Sequence, residues 1–237
     1  MRMLLPSEAT EPHPALRGVP DTSGSFTLSK PWRPAWAEVD LNAVRHNVGL
    51  LARLGIRPPL VHAANSAAVL TAPEARYDLV RCGIAVYGIA PAAELDGRLP
   101  LKPALSLKAR VSYVRHLVAG ERLSYGLRYE LDAPSTVVTV PVGYADGVPR
   151  RLGQVGGEVL IGGKRKPIAG TVTMDQLLVD LGPTDVAGSV EVGTEVVLLG
   201  RQGDERISAA EWAERLGTIP YEVCCGIGDR VPRRYLG

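Results

Sequence analysis

The chain has 237 residues, of which 46% are hydrophobic and 22% charged, a composition typical of a globular protein with one or two domains. Its formal net charge of +2 gives no electrostatic argument for binding to nucleic acid or to a membrane surface, so we expect neither partner. The three cysteines form no Cys-X-X-Cys motif and no metal-ligand spacing, which argues against a disulfide framework or a metal site. We find no membrane-spanning run and no apolar signal segment, and therefore expect a cytoplasmic protein.

The N-terminal part of the chain is predicted to contain a tail and then one βα unit. Residues 1–32 mix Pro, Ser, Thr and Glu with few large apolar side chains, which is typical of a disordered tail. Residues 36–41 are predicted to form a strand, and Asp40 or Asn42 can cap the helix that follows. Apolar residues recur at helical spacing through about residue 54, namely Leu41, Val44, Val48 and Leu51.

The first of two strand-to-loop junctions between residues 62 and 91 contains Asn65 and Ser66. These residues follow a short apolar strand and open a run with good helix propensity. A phosphate is favoured at such a helix N-terminus, because backbone and side-chain donors converge there. Taken alone, however, the pair is more simply an ordinary helix cap.

The second junction begins with a strand-like segment at 77–80 that leads into Arg81. Gly83 and Ile84 then present backbone amides about one turn further along the chain. An arginine beside a glycine turn can serve as the partner of an anion or of a ring nitrogen. Taken alone, Arg81 is more simply a surface or salt-bridged residue.

From about residue 100 the pattern changes to short alternating segments separated by Gly, Pro and Asp, which predicts an antiparallel β-barrel or sandwich. One helix interrupts this pattern, since Ser208 and Glu211 have capping-box spacing and Gly217 can end the helix. Trp212 in this helix is expected to be a core residue. The predicted strands are 104–114, 136–142, 158–161, 176–181 and 194–199, with a Gly162-Gly163 turn after the third.

Three glycine-containing turns in the β-rich part carry side chains with useful chemistry. Tyr125 lies in a Ser-Tyr-Gly turn, where it could act as an acid or base if a nearby cation lowers its pKa. A Gly-Tyr-Ala-Asp-Gly turn projects Tyr144 and is followed by Arg150. Met174 and Asp175 precede a predicted strand in a segment whose backbone amides could receive a carboxylate. Each turn alone is common in β proteins.

Taken together and in this order, these segments resemble alanine racemase, a family that depends on pyridoxal phosphate. The resemblance covers about residues 33–237 and implies an α+β fold. The remnant of an N-terminal (β/α)8 cofactor-binding barrel at 33–97 would precede a C-terminal antiparallel β-barrel or sandwich domain at 98–237. The segments that carry the resemblance are AWAEVDLNAVRHN at 35–47, HAANSAA at 62–68, VRCGIAVYG at 80–88, SLKARV at 106–111, SYG at 124–126, GYADG at 143–147, GTVTMDQ at 170–176 and RVPRRY at 230–235.

The resemblance implies roles for residues of both junctions. Arg81 looks like the arginine that faces the pyridine nitrogen of the cofactor, and His62 looks like its supporting partner. Because an arginine does not readily give up its proton, it would keep the ring a weak electron sink. Four residues resemble those that bind the cofactor phosphate: Asn65, Ser66, Gly83 and Ile84.

The three turns of the β-rich part match positions that act on the substrate. Tyr125 resembles the catalytic tyrosine, which in this family acts from the neighbouring subunit on one face of the substrate. Met174 and Asp175 resemble partner-subunit residues near the substrate carboxylate. Tyr144 and Arg150 match positions that line the entry channel.

The chain departs from the family pattern in the barrel. The family's lysine, which anchors the cofactor covalently and serves the opposite face of the substrate, lies in a KANAYGHG segment after the first helix, and no such segment occurs here. The middle barrel strands, with a histidine and an arginine expected to contact ring and substrate, are absent too. Asp229 stands where the family often has a phosphate-contacting tyrosine, and Tyr235 is no evident replacement. The five lysines fit no anchor position: Lys30, Lys102, Lys108, Lys164 and Lys166.

Three functional hypotheses follow from the resemblance. The first is a pyridoxal-phosphate-dependent racemase of L- and D-alanine, a homodimer that supplies D-alanine for peptidoglycan, with little or no activity in this chain because its lysine segment is missing. The second is a non-catalytic β-domain that associates with an intact racemase subunit and supplies Tyr125, Met174 and Asp175 to it. The third is an unstable product, because an open barrel remnant leaves apolar strand edges uncovered.

Overall fold

The computed structural model describes residues 40–56, 58–183 and 190–236. The chain divides into two compact units, Met1–Cys82 and Gly83–Gly237. The predicted tail and residues 36–39 of the predicted first strand lie outside the described residues. Within the described ranges, no helix is both long enough and apolar enough to cross a membrane.

The first unit begins, within the described residues, with helix α1 (Leu41–Arg53). The Oδ1 atom of Asp40 accepts hydrogen bonds from the backbone amides of Asn42 and Ala43, so the predicted cap is Asp40. The predicted apolar stripe faces solvent, with Val44 50% exposed and Leu51 46% exposed. An amphipathic helix normally buries such a stripe against a neighbouring element, so this apolar face is left uncovered.

A βαβ arrangement completes the first unit. Strand β1 (His62–Asn65) leads into helix α2 (Ser66–Thr71), a 3-10 turn at Pro73–Ala75 and strand β2 (Leu79–Arg81). The two strands are parallel, and Asn65 is paired with Arg81. Because parallel strands end at the same edge of a sheet, the residues at their carboxyl ends are neighbours. The predicted junctions therefore lie side by side.

The second unit is built from antiparallel strands, as predicted. Its strands are β3 (Leu107–Arg110), β4 (Tyr113–Leu117), β5 (Arg122–Leu123), β6 (Tyr129–Glu130), β7 (Ser135–Val140), β8 (Glu158–Ile161), β9 (Lys164–Pro167), β10 (Leu177–Asp180), β11 (Glu195–Gln202) and β12 (Glu205–Ile207). One sheet has the order β10-β7-β4. A second has the order β12-β11-β8-β9 with β3 also paired to β11, and β5 pairs with β6. Every pairing between these strands is antiparallel.

The prediction of a single strand at 104–114 is wrong in one respect, because the structure has two strands here, β3 and β4. The amide of Val111 donates to the carbonyl of Thr194, whereas the amide of Ser112 donates to the carbonyl of Thr139. Adjacent residues therefore hydrogen-bond to different sheets. The chain turns a corner here and passes from the sheet of β11 to the sheet of β7.

Two helices follow β12 in the chain. Helix α3 (Ala209–Leu216) is the predicted one: the Oγ atom of Ser208 accepts from the amide of Glu211 at 3.1 Å, and Gly217 ends the helix at φ 71°. Trp212 is 1% exposed and joins the main hydrophobic core, as expected. Helix α4 (Pro220–Gly226), which begins with a proline in its first turn, was not predicted.

Candidate cofactor and substrate sites

The first unit brings His62 and Arg81 into direct contact. Nη1 of Arg81 lies 2.8 Å from Nδ1 of His62 and 3.4 Å from the carbonyl oxygen of Ala63. Because a guanidinium can only donate, Nδ1 of His62 must accept and therefore carries no proton. The histidine thus fixes the direction of the arginine, which is the supporting role that the family resemblance implies.

Asn65 and Ser66 connect β1 to α2 beside this pair. Oδ1 of Asn65 accepts from the amide of Ala68 at 3.0 Å, so the cap reading of this residue is correct. With its oxygen committed to the cap, the side chain can present only its NH2 group to a ligand. Ser66 is 4% exposed. Capping and anion binding are therefore compatible at this junction.

The remaining predicted phosphate ligands, Gly83 and Ile84, belong to the second unit. They begin a 3-10 segment at Ile84–Tyr87, where the carbonyl of Gly83 accepts from the amide of Val86 at 3.0 Å. The side chain of Ile84 is buried, so only its backbone can serve a ligand. No atom lies within 4 Å of a Cβ placed on Gly83, so the backbone there is open to approach.

In the second unit, two of the predicted turns are hydrogen-bonded to each other. The amide of Tyr144 donates to the carbonyl of Thr173 at 3.0 Å, and the amide of Ala145 donates to that of Met174 at 2.9 Å. A Cβ on Gly143 would lie 2.3 Å from the Thr173 oxygen, so only glycine permits this approach. Tyr144 is 42% exposed and Met174 55% exposed. Both side chains therefore project from one rigid double turn.

Asp146 organises this double turn, although the sequence analysis assigned it no role. One carboxylate oxygen accepts from the amide of Gly143 at 2.8 Å, and the other lies 3.2 Å from Nε of Arg230. The residue is only 8% exposed. The sequence feature that could have indicated this role is an acidic residue in a turn bounded by two glycines. Its carboxylate ties the turn to the C-terminal segment.

Asp146→Asn is expected to lower the free energy of unfolding by about 2 kcal/mol, the range of hydrogen bonds to a charged group. The amide removes the charge that attracts Arg230 and replaces one acceptor with a donor. Urea denaturation followed by circular dichroism measures the change. Asp175→Asn is the matched control, since Asp175 is exposed and should shift stability by less than about 0.5 kcal/mol. Equal urea midpoints for the two variants would contradict the role given to Asp146.

Tyr125 and Tyr129 have opposite environments although four residues separate them. Tyr125 is 73% exposed in the turn between β5 and β6. The hydroxyl of Tyr129 donates to Oδ2 of Asp180 at 3.0 Å, and burial together with this carboxylate raises the Tyr129 pKa far above its ordinary value. Tyr129 is therefore a structural phenol, whereas Tyr125 is exposed to solvent.

Two family models match the chain: the alanine racemase N-terminal domain over residues 29–91 and the alanine racemase C-terminal domain over residues 104–235, more than half of the chain. The chain belongs to the alanine racemase family. It is 47% identical over 211 residues to an alanine racemase of Symbiobacterium thermophilum, covering 89% of this chain and 55% of that relative. It is 49% identical to an alanine racemase of Carboxydothermus hydrogenoformans, covering 83% of this chain and 53% of that relative.

Solved structures of alanine racemases also match the fold. The Bacillus anthracis alanine racemase solved with bound L-Ala-P has a TM-score of 0.76 and 44% identity, covering 83% of this chain and 50% of that one. The Streptomyces lavendulae alanine racemase has a TM-score of 0.75 and 42% identity, covering 83% of this chain and 51% of that one. These matches confirm a barrel remnant followed by a β-rich domain. The chain spans about half the length of the alanine racemases it matches.

Two of the described lysines have partners within the second unit. Nζ of Lys108 lies 3.1 Å from a carboxylate oxygen of Glu195, and Nζ of Lys166 donates to the carbonyl of Leu181 at 2.6 Å. Residues 31–101 contain no lysine, and Lys30 lies outside the described residues. The first unit as described therefore offers no amine beside Arg81. Among the described residues, no group of three His, Cys, Asp or Glu side chains could hold a metal ion.

Proposed function

We propose that this chain is an alanine racemase impaired by an internal truncation. The observation that carries the proposal is the hydrogen bond from Arg81, the last residue of β2, to His62 of the parallel strand β1, whose carboxyl end carries the cap residue Asn65 and then Ser66. This is the combination of donors that the family uses to hold the ring nitrogen and the phosphate of pyridoxal phosphate. The family's lysine is the component that the chain lacks.

The residues of the first unit fit the pyridine and phosphate groups of the cofactor. The Asn65 amide and the Ser66 hydroxyl would bind phosphate oxygens. Arg81 would donate a hydrogen bond to the ring nitrogen and would not pass a proton to it, because a guanidinium does not readily give up a proton. When bound, pyridoxal phosphate would withdraw electrons from the α-carbon of an attached amino acid and make its α-hydrogen acidic.

Tyr125 would exchange a proton with the α-carbon at its hydroxyl oxygen, on one face of the substrate. The exposed Met174 and Asp175 would lie near the substrate carboxylate, and Tyr144 and Arg150 would line the channel. Racemisation needs a second proton-transfer group on the opposite face, and the described part of the first unit contains no lysine that could serve it. We therefore expect the isolated chain to have little or no turnover.

The direct test is to incubate the purified chain with pyridoxal phosphate and L-alanine and to assay D-alanine. An intact racemase, assayed in parallel, provides the reference rate. We expect D-alanine formation far below that rate. Turnover close to the reference would show that the missing lysine segment is not needed and would overturn the proposal.

A second function is favoured by the exposure of the substrate-side residues. Tyr125, Tyr144 and Met174 are 73%, 42% and 55% exposed on turns that are already ordered by backbone hydrogen bonds. A β-domain of this kind could supply them to an intact racemase subunit, as neighbouring subunits of the family do. Sedimentation of the chain mixed with a full-length subunit tests this function, and the absence of any complex would eliminate it.

The remaining assignments belong to the same proposal. We propose that the domains run from 33 to 97 and from 98 to 237, that alanine is the substrate class, and that the chain acts in the cytoplasm. We also propose that it forms a homodimer or a dimer with an intact racemase subunit, with no nucleic acid or membrane partner.

A further inference from the structure

The turn that carries Tyr125 has a backbone that cannot be stable by itself. Ser124, Gly126 and Leu127 have φ values of 62°, 80° and 49°. Only the glycine adopts this left-handed region without a steric cost, whereas Ser124 and Leu127 are strained there. The single hydrogen bond inside the turn joins the amide of Leu127 to the carbonyl of Ser124 at 3.1 Å. Contacts from outside the turn must therefore stabilise it.

Those contacts come from Thr171 and its neighbours. The Oγ atom of Ser124 donates to the carbonyl of Thr171 at 2.6 Å, and the Thr171 hydroxyl donates back to the carbonyl of Tyr125 at 3.3 Å. Nε2 of Gln154 donates to the same Thr171 hydroxyl at 3.3 Å. A hydroxyl can donate one hydrogen bond and accept others, so the Thr171 hydroxyl can donate to Tyr125 and accept from Gln154 at the same time. Thr171 itself is only 4% exposed and cannot readily turn away.

A close backbone approach reinforces this arrangement. A Cβ on Gly170 would lie 2.8 Å from the Cβ of Ser124, so the two segments are as near as their atoms permit. The aromatic ring of Tyr125, by contrast, is 73% exposed. The position of its hydroxyl therefore depends on the backbone of the turn rather than on packing of the ring.

From this geometry we propose that Thr171 is a positioning residue for Tyr125, with Gln154 orienting the Thr171 hydroxyl. The inference rests on the proposed catalytic role of Tyr125 and adds to it the residues that place the phenol. The Thr171 hydroxyl is bonded to the backbone carbonyl of Tyr125 and to Nε2 of Gln154. It acts by keeping one backbone carbonyl, and hence one turn geometry, in place for proton transfer.

The catalytic test uses the full chain mixed with an intact racemase subunit whose own Ser-Tyr-Gly tyrosine is replaced by Phe. The intact subunit then has its lysine but must receive Tyr125 from this chain. Thr171→Val keeps the shape of the side chain and removes the hydroxyl, so kcat should fall roughly tenfold while KM stays unchanged, because a small misplacement costs rate rather than binding. Thr171→Ser should restore kcat.

The matched control is Thr194→Val, which removes the hydroxyl that accepts from the amide of Glu191 at 3.1 Å, away from the turn. It should leave kcat within a factor of two of the unmodified chain. A similar loss of kcat in the Thr194 and Thr171 variants, or a Thr171→Ser variant no better than Thr171→Val, would overturn the positioning role.

A second measurement does not depend on catalysis. The chain alone is labelled with 3-fluorotyrosine, and the fluorine resonance of Tyr125 is assigned among the eight tyrosines by its loss in Tyr125→Phe. We expect one narrow Tyr125 resonance in the unmodified chain and in Thr171→Ser, and a broadened or split one in Thr171→Val. Identical spectra for all three would overturn the inference. A mixed dimer that is inactive even with the unmodified chain would instead overturn the second proposed function, the supply of Tyr125 to an intact subunit, while the spectra still decide the role of Thr171.

Discussion

Gly147→Ala is expected to lower the free energy of unfolding by about 4 kcal/mol, one of the largest effects available to a single methyl group in this chain. Gly147 has φ 104°, outside the region open to alanine, and an added Cβ would lie 2.3 Å from the carbonyl oxygen of Gly226 and 2.6 Å from Cα of Ile227. Both atoms are backbone, and the Ile227 side chain is buried. The C-terminal segment must therefore move for the variant to fold.

Chemical denaturation followed by far-ultraviolet circular dichroism measures this loss. Gly162→Ala is the control that separates backbone strain from the close approach, because Gly162 has φ 58° but no atom within 4 Å of an added Cβ. It should cost only about 1–2 kcal/mol. Equal losses for the two variants would show that the approach of the C-terminal segment to Gly147 contributes nothing.

Arg165→Met is expected to cost about 2 kcal/mol, because Arg165 is the centre of an ion network on β8, β9, β12 and α3. Its guanidinium lies 3.1 Å from Glu158, 3.1 Å from Glu205 and 2.7 Å from Glu211. Without it, three carboxylates remain near one another, and among the described residues Arg215 is the remaining counter-ion, paired with Glu158 and Glu211. The cost falls below the roughly 3–5 kcal/mol of a fully buried pair, because the Arg165 side chain is 30% exposed.

Lys108→Met provides the matched control for the loss of one cation. The side chain of Lys108 is 47% exposed and that of its partner Glu195 is 41% exposed. Such exposed pairs contribute roughly 0–1 kcal/mol to the free energy of unfolding. Thermal unfolding of both variants beside the unmodified chain compares the two pairs. A lysine variant as unstable as the arginine variant would contradict a special role for the network.

The same network should make stability depend on pH. Hydrogen bonds from Arg165 hold the pKa of Glu211 below its usual value, despite an opposing contribution from burial. This contribution is fully present above about pH 4.3, the ordinary pKa of an unfolded glutamate, and is lost as the pH falls through the lower pKa of the folded chain. In Arg165→Met the decrease below about pH 4.3 should be shallower. Parallel stability curves for the two proteins would contradict this linkage.

The strands that were predicted from sequence are those with a clear alternation or a decisive turn. The Gly162-Gly163 pair, with φ 58° and 72°, gave the hairpin of β8 correctly. The return strand β9 was missed because its sequence, KRKP, has charges on both faces. These charges belong there because Arg165 and Lys166 bind carboxylates and a backbone carbonyl of distant elements. Such partners cannot be identified from a local pattern.

The same distinction applies to the candidate sites. The resemblance to alanine racemase led to His62 and Arg81, and the structure brings them within a hydrogen bond. Asp146 and Thr171 were not recognised, because their roles depend on contacts between turns that lie far apart in the sequence. Ser124 and Thr171, for example, are separated by 47 positions. A sequence motif identifies the side chain that contacts a substrate more readily than it identifies the residue that stabilises the motif's backbone.

The pairing of β3 with β11 has a consequence for the order in which the chain can fold during synthesis. Glu195 pairs with Arg110, and β11 also carries β8 and β12 as neighbours. Until the ribosome has released β11, strand β3 has no partner and the main sheet stays open, whereas β1 and β2 can pair soon after Arg81 emerges. Chaperone dependence should therefore be greatest for nascent chains that end between residues 110 and 195.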